Sequence, residues 1–503
     1  MTSKMVRSHF GSSFSGGPRS TSRLKHSQAS FSLALWAPLR PPPVEIGAAA
    51  ADSDQAHDAA STGGHREAGA ASRCRSGRSR ECGAVVLDAE RMPPTGSLAL
   101  VLYSTLLTGV NLVVVIPTAD DYARRLGGGE LFSGLIIGAL PLFAGLGIYV
   151  NQIWLMRWMS LKSVLLLLAV GSVLGNVLYS LAGLMHFKWT LFAARCLVGF
   201  CNGFNLPSLY IGLTVGMKRR SEIILYFSAL NTLGYALGPA LAAMLDVFVA
   251  SFRINNLVLD ADTAPGWFMA ILYLLFMVKV IVLFEDVPMK VTSPQAAQSN
   301  HADSTVLEPV PAVACCACLW YLCVSSLFIT CVEVYAVNVG QNYWGWTLAT
   351  SAMFLSVLML CSGLINLFMG IFTKHLIRSD RKALLVSSMI ACACCALLFN
   401  FNLDAISANV SILSTGLVLV LILSGLIRAF GLAASSKIVP TSQKAIMNTW
   451  ATEFMTVGRG AGGIIGSILN PSSFFPVVVT LFAVTLLTSV ASHSRMQPSG
   501  KAK

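Results

Sequence analysis

The stretch "EDVPMKVTSPQAAQSNHADSTVLEPVP", residues 285–311, decides the fold because it is the only substantial polar break in a long series of apolar segments. Hydrophobic residues make up 55% of the 503-residue chain, and charged residues make up only 12%. A water-soluble core of this size does not need so apolar a composition. The chain is therefore predicted to be a polytopic integral membrane protein.

Twelve apolar windows of about 20 residues, the length that crosses a hydrocarbon core, lie six before and six after this break. The sequence thus predicts an all-α membrane protein with twelve transmembrane helices in two six-helix halves. The predicted spans are 97–117, 131–151, 163–184, 190–215, 223–247, 266–284, 312–333, 348–372, 383–401, 411–433, 448–469 and 474–490. The predicted domains are a basic tail at 1–95, halves at 96–284 and 312–490, a cytosolic loop at 285–311 and a C-terminal tail at 491–503.

Lys and Arg residues predict the orientation, because cytosolic loops carry more of them than outside loops. With both termini in the cytosol, the short inside loops hold twelve of these residues and the outside loops hold four. The net charge of +12 therefore reflects topology and a basic tail, not nucleic-acid binding. The helix ends are called inner and outer below according to this prediction.

The tail at 1–95 has two interpretations. Its Ser, Pro, Gly, Ala and Arg content is typical of a disordered cytosolic extension, and its acid-poor start is also typical of an organelle transit peptide.

Thirteen cysteines add no catalytic signal, since a cysteine in an apolar helix is most often a small hydrophobe. No metal site, cofactor or enzymatic nucleophile is expected, so an enzyme is not predicted.

Ionisable residues inside a membrane are costly, so each one needs a partner or a function. Arg195, Arg428, Glu453 and Arg459 lie inside predicted spans. Glu453 and Arg459 are about 120° apart around their helix and do not share a face. Glu453 and Arg428 lie at matching depths on antiparallel spans, which predicts an interhelical pair, either a structural or gating latch or a coupling site.

Arg459 is left near mid-membrane without a partner in its own span, and a guanidinium there suits a planar anion with several oxygens. The alternative is an arginine bound to backbone carbonyls. The candidate substrate-binding residues are Arg459, Asn111, Asn366 and Arg195. The candidate coupling or gating residues are Glu453, Arg428, Asp120, Glu333, Gly234, Gly238 and Pro239, of which Asp120 and Glu333 lie near the outer ends of their predicted spans.

Glycines and a proline in the fifth span predict a close helix contact. "GYALGP", residues 234–239, combines a G-x-x-x-G spacing with a proline that bends the helix. In major facilitator proteins such a signature lies where the two halves meet. Gly234 and Gly238 are therefore expected at the interface between halves.

The order of several short motifs resembles the membrane domain of the SPX-type vacuolar phosphate transporters and, more distantly, lysosomal major facilitator proteins of the ceroid-lipofuscinosis group. The resemblance runs from about residue 99 to 490. Its motifs are Asn111 with "PTAD" (117–120), "GNVLY" (175–179), "RCLVG" (195–199), "GPALA" (238–242), "DTAPGW" (262–267), Asn366 with Gly370, "DRK" (380–382), and "TE" (452–453) with Arg459.

The resemblance implies a major facilitator fold and a transporter of a small anion in a vacuolar or lysosomal membrane, with a plastid or plasma membrane left open. The chain departs from the family in two places. Its tail does not look like an SPX domain, so regulation by that domain's ligands is not expected. The stretch "FNLPSLYIG", residues 204–212, has no base where the family tends to carry arginines, which weakens the expectation of phosphate.

Three functions remain open from the sequence. The first is a secondary transporter that works by alternating access, with Arg459 holding the substrate and Glu453 taking a proton. The second is a passive anion channel, and the third is a membrane scaffold without transport. The expected partners are membrane lipid, a small solute and possible coupling protons, with no nucleic acid.

Overall fold

The computed structural model of the chain describes most of the membrane region. The described residues are 92–151, 155, 158–249, 252–254, 257–286, 312–376, 380–395, 410–439 and 443–493. Residues 1–91 of the predicted tail and most of the central loop at 285–311 lie outside these residues.

The first half is helical apart from one short hairpin. Its helices are α1 (Thr95–Val113), α2 (Ala119–Arg125), α3 (Glu130–Val150), α4 (Leu161–Met185), α5 (Lys188–Phe200), α6 (Leu206–Thr214), α7 (Met217–Phe248) and α8 (Ala264–Leu283). Strands β1 (Phe252–Ile254) and β2 (Leu257–Leu259) pair antiparallel between α7 and α8.

Helices are the only regular secondary structure among the described residues of the second half. Its helices are α9 (Ala312–Asn342), α10 (Leu348–Leu376), α11 (Asp380–Cys394), α12 (Val410–Ile438), α13 (Lys444–Ile468) and α14 (Pro471–Ser492). Every predicted span coincides with one of these helices or, for the fourth span, with two of them. The all-α fold class is therefore confirmed, with the small hairpin as the addition.

In the described part of the chain, nine helices are long and apolar enough to cross a membrane. The other three predicted spans do not form a single helix that is both long and apolar enough, each for a separate reason. The fourth is broken between α5 and α6, where Pro207 starts the second piece. The ninth, α11, is described over 15 residues, and α13 has its apolarity lowered by Glu453, Arg459 and many glycines.

Glycines set the closest contacts inside each half. A Cβ on Gly234 or Gly238 of α7 would meet backbone or side-chain atoms of α1, including the Val110 carbonyl oxygen 3.0 Å from Gly238. These two glycines therefore contact their own half, and the prediction that they form the interface between halves is wrong. Pro239 is buried on the same helix.

The interface between halves uses other faces. Helix α3 packs closely against α13, and α7 packs against α10. On α3, a Cβ on Gly134 would lie 3.0 Å from the Gly463 carbonyl oxygen of α13. Between α7 and α10, the Ser356 hydroxyl donates a hydrogen bond to the Ala236 carbonyl oxygen at 2.7 Å. Small residues thus let the two halves approach at both contacts.

Candidate functional site

Helix α13 is held against α9 by a row of glycines. A Cβ on Gly458 or Gly462 would clash with the carbonyl oxygens of Cys323 and Leu327, and one on Gly466 would lie 2.8 Å from the Cys331 carbonyl oxygen. A larger residue at these positions would separate the two backbones. The contact is the reason that Arg459, next to Gly458, reaches side chains of α9.

Arg459 forms a buried ion pair with Glu333 of α9. Its Nη2 donates to both carboxylate oxygens, at 2.9 Å and 3.0 Å, and its Nε donates to the Thr330 hydroxyl at 3.2 Å. The Glu333 side chain is 0% exposed and that of Arg459 is 6% exposed. A carboxylate with this contact neutralises most of the cost of placing the guanidinium inside the membrane.

Sequence reasoning missed this pair because it placed Glu333 at the outer end of a span that ended there. Helix α9 continues to Asn342, so Glu333 lies about two and a half turns inside it. Extending the predicted span through the moderately apolar stretch 334–342 would have brought Glu333 to the depth of Arg459.

A second arginine and a tyrosine complete the cluster. The ring of Tyr235, on α7 of the first half, lies over the Arg459 guanidinium, with 4.4 Å between its centroid and Cζ. The half-buried Arg428 of α12 lies within electrostatic range of Glu333, Arg459 and Tyr235. We call Glu333, Arg428, Arg459 and Tyr235 the central cluster; it draws on both halves of the protein.

The central cluster carries one positive charge in excess, because it contains two guanidiniums and one carboxylate, of which only Arg459 forms an ion pair with Glu333. The Nη1 atom of Arg459 is buried and has no hydrogen-bond partner among the described residues. An unsatisfied charged donor in such surroundings is costly unless a ligand or water accepts its hydrogen bond. This arrangement suits an anion with several oxygens, which accepts hydrogen bonds from more than one nitrogen.

The predicted pair of Glu453 with Arg428 is not formed. Glu453 Oε1 is buried without a hydrogen-bond partner in the described part of the chain, and the ion pairs found there do not include it. An equal depth in the membrane does not bring Glu453 and Arg428 together. Helix α9 packs against both α12 and α13, whereas α12 and α13 make little contact with each other. Arg428 consequently faces Glu333, and Glu453 faces Gly145 of α3.

A cavity of about 390 Å³ lies below the cluster at the inner ends of α12 and α13. Ala429, the neighbour of Arg428, lines it together with Leu432, Lys444 and Asn448. The cavity therefore comes within one residue of Arg428 along α12.

Arg195 of the first half has a different environment. It is 1% exposed, and its guanidinium donates to the carbonyl oxygens of Ile136, Asn111 and Leu112 at 3.4 to 3.5 Å. Two of these carbonyls belong to the last turn of α1, where the helix leaves them without partners. The geometry therefore favours a structural role for Arg195 over the substrate contact that the sequence suggested.

The two predicted amides differ in position. Asn111 is 0% exposed and neither atom of its amide has a hydrogen-bond partner among the described residues. Asn366 of α10 is half-buried and packs on Gly425 of α12, three residues before Arg428. Asn366 therefore contacts α12 about one turn from Arg428 of the central cluster, whereas Asn111 lies beside Arg195.

The outer ends of the two halves are joined by polar contacts. Asp246 of α7 accepts the backbone N–H of Ala349 in the first turn of α10, at 3.2 Å. The Gln341 amide donates to the Pro117 carbonyl oxygen at 3.1 Å. The predicted gating residue Asp120 instead pairs with Arg124 at 2.9 Å on its own short helix, an exposed contact that contributes little stability.

A carboxylate cluster surrounds Arg125 at the same end. This guanidinium binds Asp260, and Asp262 at 3.1 Å, outside the membrane-spanning segments. Burial, helped by the nearby carboxylates of Asp260 and Asp121 and opposed by Arg125, raises the pKa of Asp262 to about 7. Asp262 therefore titrates near neutral pH.

Comparison with known proteins agrees with this architecture. Residues 101–343 match the model of the family described as Major Facilitator Superfamily. Residues 101–343 therefore resemble a major facilitator domain. The curated relatives include an SPX domain-containing membrane protein of Arabidopsis thaliana, 27% identical over 343 residues, which cover 59% of this chain and 48% of the relative. Another, from Oryza sativa subsp. japonica, is 32% identical over 209 residues, covering 41% and 29% of the two chains.

Solved structures show the same major facilitator fold. A D-xylose-proton symporter superimposes with a TM-score of 0.61 at 11% identity, covering 81% of this chain and 99% of that one. A bacterial homolog of the human lysosomal transporter Spinster, in an inward-facing and occupied conformation, gives 0.55 at 14% identity, covering 79% and 93%. The protein is thus a multi-pass membrane protein, and it spans about half the length of the curated relatives it matches.

Proposed function

We propose that the protein is a secondary transporter that moves a small inorganic anion by alternating access. One observation carries the proposal: Arg428 lies within electrostatic range of the Arg459–Glu333 ion pair, and Arg459 Nη1 has no hydrogen-bond partner among the described residues. This excess positive charge lies where the halves meet, the position at which major facilitator proteins bind substrate. The family match and the fold support transport as the general activity.

Within this proposal, the two arginines bind the anion. Asn366, which packs beside α12, lines the same space and offers an amide for a hydrogen bond. The inner cavity next to Ala429 supplies the route to the cytosolic side. Arg195 and Asn111 hold the end of α1 in place and act on the substrate only indirectly.

The membrane proposed for this transporter is vacuolar or lysosomal. The support is the resemblance to SPX domain-containing membrane proteins of plants together with the structural neighbour described as a homolog of a lysosomal transporter. Phosphate and sulfate are the first anions to test, because both present several oxygens to two guanidiniums.

Uptake into proteoliposomes tests the proposal. Labelled phosphate, sulfate and chloride are offered to the wild type, Arg459→Ala and Arg459→Lys. Lys279→Ala is the matched control, because Lys279 is a membrane cation on an exposed face of α8, away from the central cluster. We expect uptake of at least one anion by the wild type and the control, and none by Arg459→Ala.

Three other results would contradict the proposal. Uptake that is equal in the wild type and Arg459→Ala would remove Arg459 from the site. Single-channel currents far faster than carrier turnover in planar bilayers would identify a passive anion channel instead of a carrier. No uptake of the three anions by the wild type would leave organic solutes or a scaffold function as the explanation.

A further inference from the structure

The cavity between the inner ends of α12 and α13 is large for an inorganic anion. Its volume of about 390 Å³ lies in the range of roughly 300–1,000 Å³ that is typical of sites for organic ligands. We propose that it is a regulatory site, which binds a small organic anion with an acidic head group and an apolar body and thereby inhibits transport from the cytosolic side. Binding of this ligand is independent of the proposed function, whereas the inhibition rests on it.

The first argument is the apolar wall of the cavity. Leu432 and Met447 line it together with Ala429 and Ala433. Contact with apolar side chains is favourable for a ligand that removes apolar surface of its own from water. Chloride and tetrahedral oxyanions have no such surface, so they leave this wall unused. The wall therefore fits a ligand with a hydrocarbon or aromatic body.

The second argument is the set of hydrogen-bond donors in the cavity. Lys444 and Asn448 line it from α13, and their spacing of four residues places them on one face of that helix. The ammonium and the amide both offer N–H donors. Among the described residues, no carboxylate lies within ion-pair distance of Lys444. The Ser435 hydroxyl already donates to the Leu432 carbonyl oxygen at 2.8 Å, so the head group of the ligand belongs on the α13 side.

The third argument is the sign of the charge around the cavity. Lys437 lies in the last turn of α12, and Arg428 is the neighbour of the lining residue Ala429. The sequence of α12 and of the first two turns of α13 contains no acidic residue. The first acid on α13, Glu453, faces Gly145 of α3. A cleft whose charges have one sign attracts ligands of the opposite sign, so an anion is favoured over a cation.

The position of the cavity explains why its ligand inhibits. Leu432 and Ser435 are four and seven residues from Arg428, so the three share one face of α12. Asn448 precedes Arg459 by about three turns of α13, which places these two on one side of that helix. A ligand in the cavity therefore occupies the inner approach to both arginines. It blocks the cargo on the cytosolic side without crossing the membrane itself.

Three related compounds test the site. Benzenesulfonate has an anionic head group and an aromatic body, benzenesulfonamide keeps the body without the charge at neutral pH, and sulfate keeps the head group without the body. Isothermal titration calorimetry on the purified full-length protein in detergent gives the affinities. We expect benzenesulfonate to bind at least about tenfold more tightly than the other two, because only benzenesulfonate uses both Lys444 and the apolar wall. Equal affinity for sulfate or for benzenesulfonamide would overturn the inference.

Variants locate the bound compound. Lys444→Gln should weaken benzenesulfonate binding by about tenfold, because it removes a charged donor. Ala429→Leu fills part of the cavity at an exposed position and should weaken binding without a change of charge. Lys279→Gln is the matched control, an exposed lysine on α8 of the first half, and should bind like the wild type.

Arg459→Lys separates this cavity from the central cluster. It keeps a positive charge in the cluster, and we expect it to bind benzenesulfonate with nearly wild-type affinity. Unchanged affinity in Lys444→Gln would overturn the inference. A loss of affinity in Arg459→Lys but not in Lys444→Gln would also overturn it, because the compound would then lie at the central cluster.

The side from which inhibition occurs tests the regulatory role. Exchange of labelled phosphate, sulfate or chloride is measured in oriented vesicles, with benzenesulfonate added to one side at a time. We expect inhibition from the side that the inner helix ends face, and weaker inhibition in Lys444→Gln. Inhibition from the outer side alone, or uptake of labelled benzenesulfonate itself, would overturn the regulatory role.

The two experiments keep the two proposals apart. Binding of benzenesulfonate that depends on Lys444, in a protein that exchanges none of the three inorganic anions, would confirm the site and contradict the proposed function. Exchange of an inorganic anion by a protein that does not bind benzenesulfonate would support the proposed function and overturn the inference.

Discussion

The ring of Tyr235 in the first half lies over the guanidinium of Arg459 in the second half, 4.4 Å from ring centroid to Cζ. The candidate substrate-binding arginine is therefore also part of the contact between the two halves. In the proposed function, an anion would bind the same guanidinium that contacts Tyr235. Occupancy of the proposed site would in this way be connected to the packing of the two halves.

Replacing Tyr235 tests this connection. Tyr235→Leu removes the aromatic face, and a cation–π contact away from water contributes about 2 kcal/mol, whereas Tyr235→Phe keeps the ring. We expect Tyr235→Leu to lower the thermal unfolding temperature in detergent and to slow anion exchange, with Tyr235→Phe close to wild type. Equal behaviour of the two variants would show that the ring face does not matter.

The Arg459–Glu333 pair should show strong thermodynamic coupling. Removing one member of a buried ion pair leaves an uncompensated charge and costs about 3–5 kcal/mol. Arg459→Gln should therefore be more destabilising alone than together with Glu333→Gln. Denaturation of the two single variants and the double variant gives the coupling energy, and additive effects would mean that the two side chains do not interact in the membrane.

The glycine row on α13 should tolerate no side chain. In Gly458→Ala the new methyl group clashes with the Cys323 carbonyl oxygen of α9, so α13 must move away from α9 and the ion pair must lengthen. Over-packing of this kind costs about 1–3 kcal/mol. Gly212→Ala on α6 is the control, because a Cβ there has no heavy atom within 4 Å. We expect the thermal unfolding temperature to be clearly lower for Gly458→Ala than for Gly212→Ala.

Stability should depend on pH through Asp262. Its pKa rises from 3.8 to about 7 on folding, mainly because burial disfavours the charged form. The folded protein thus holds a proton that the unfolded chain releases, and this contribution is fully present below pH 3.8 and lost as pH rises through about 7. Acidic conditions should therefore raise the unfolding temperature.

Asp262→Asn provides the check. The variant lacks the titrating group, so its unfolding temperature should change less than that of the wild type between about pH 5 and about pH 7.5. This is roughly the range over which a carboxyl with the shifted pKa changes its charge. Asp120→Asn is a suitable comparison, since Asp120 forms an exposed pair with Arg124. An equal pH response in Asp262→Asn and wild type would contradict the assignment.

The membrane class and the positions of the helices follow from the sequence alone, which also predicts the division into two halves. These features depend on local properties: the number of apolar residues needed to cross the bilayer and the polar break at 285–311. Each predicted span coincides with a helix or a broken pair of helices because backbone groups in lipid must be satisfied within the segment. The sequence also indicated Arg459 as a candidate substrate-binding residue, since the free-energy cost of a charge inside a membrane span can be inferred without a structure.

Which charged side chains meet depends on how the helices pack against one another. Sequence reasoning paired Glu453 with Arg428 by depth, but depth does not give the direction in which a side chain points or which helix lies between two others. Helix α9 packs between α12 and α13, and the glycines of α13 bring the two backbones into contact. Glu333 therefore meets Arg459. The partner of a charged residue on another helix depends on how each helix is rotated and packed, and no local property of the chain encodes that arrangement.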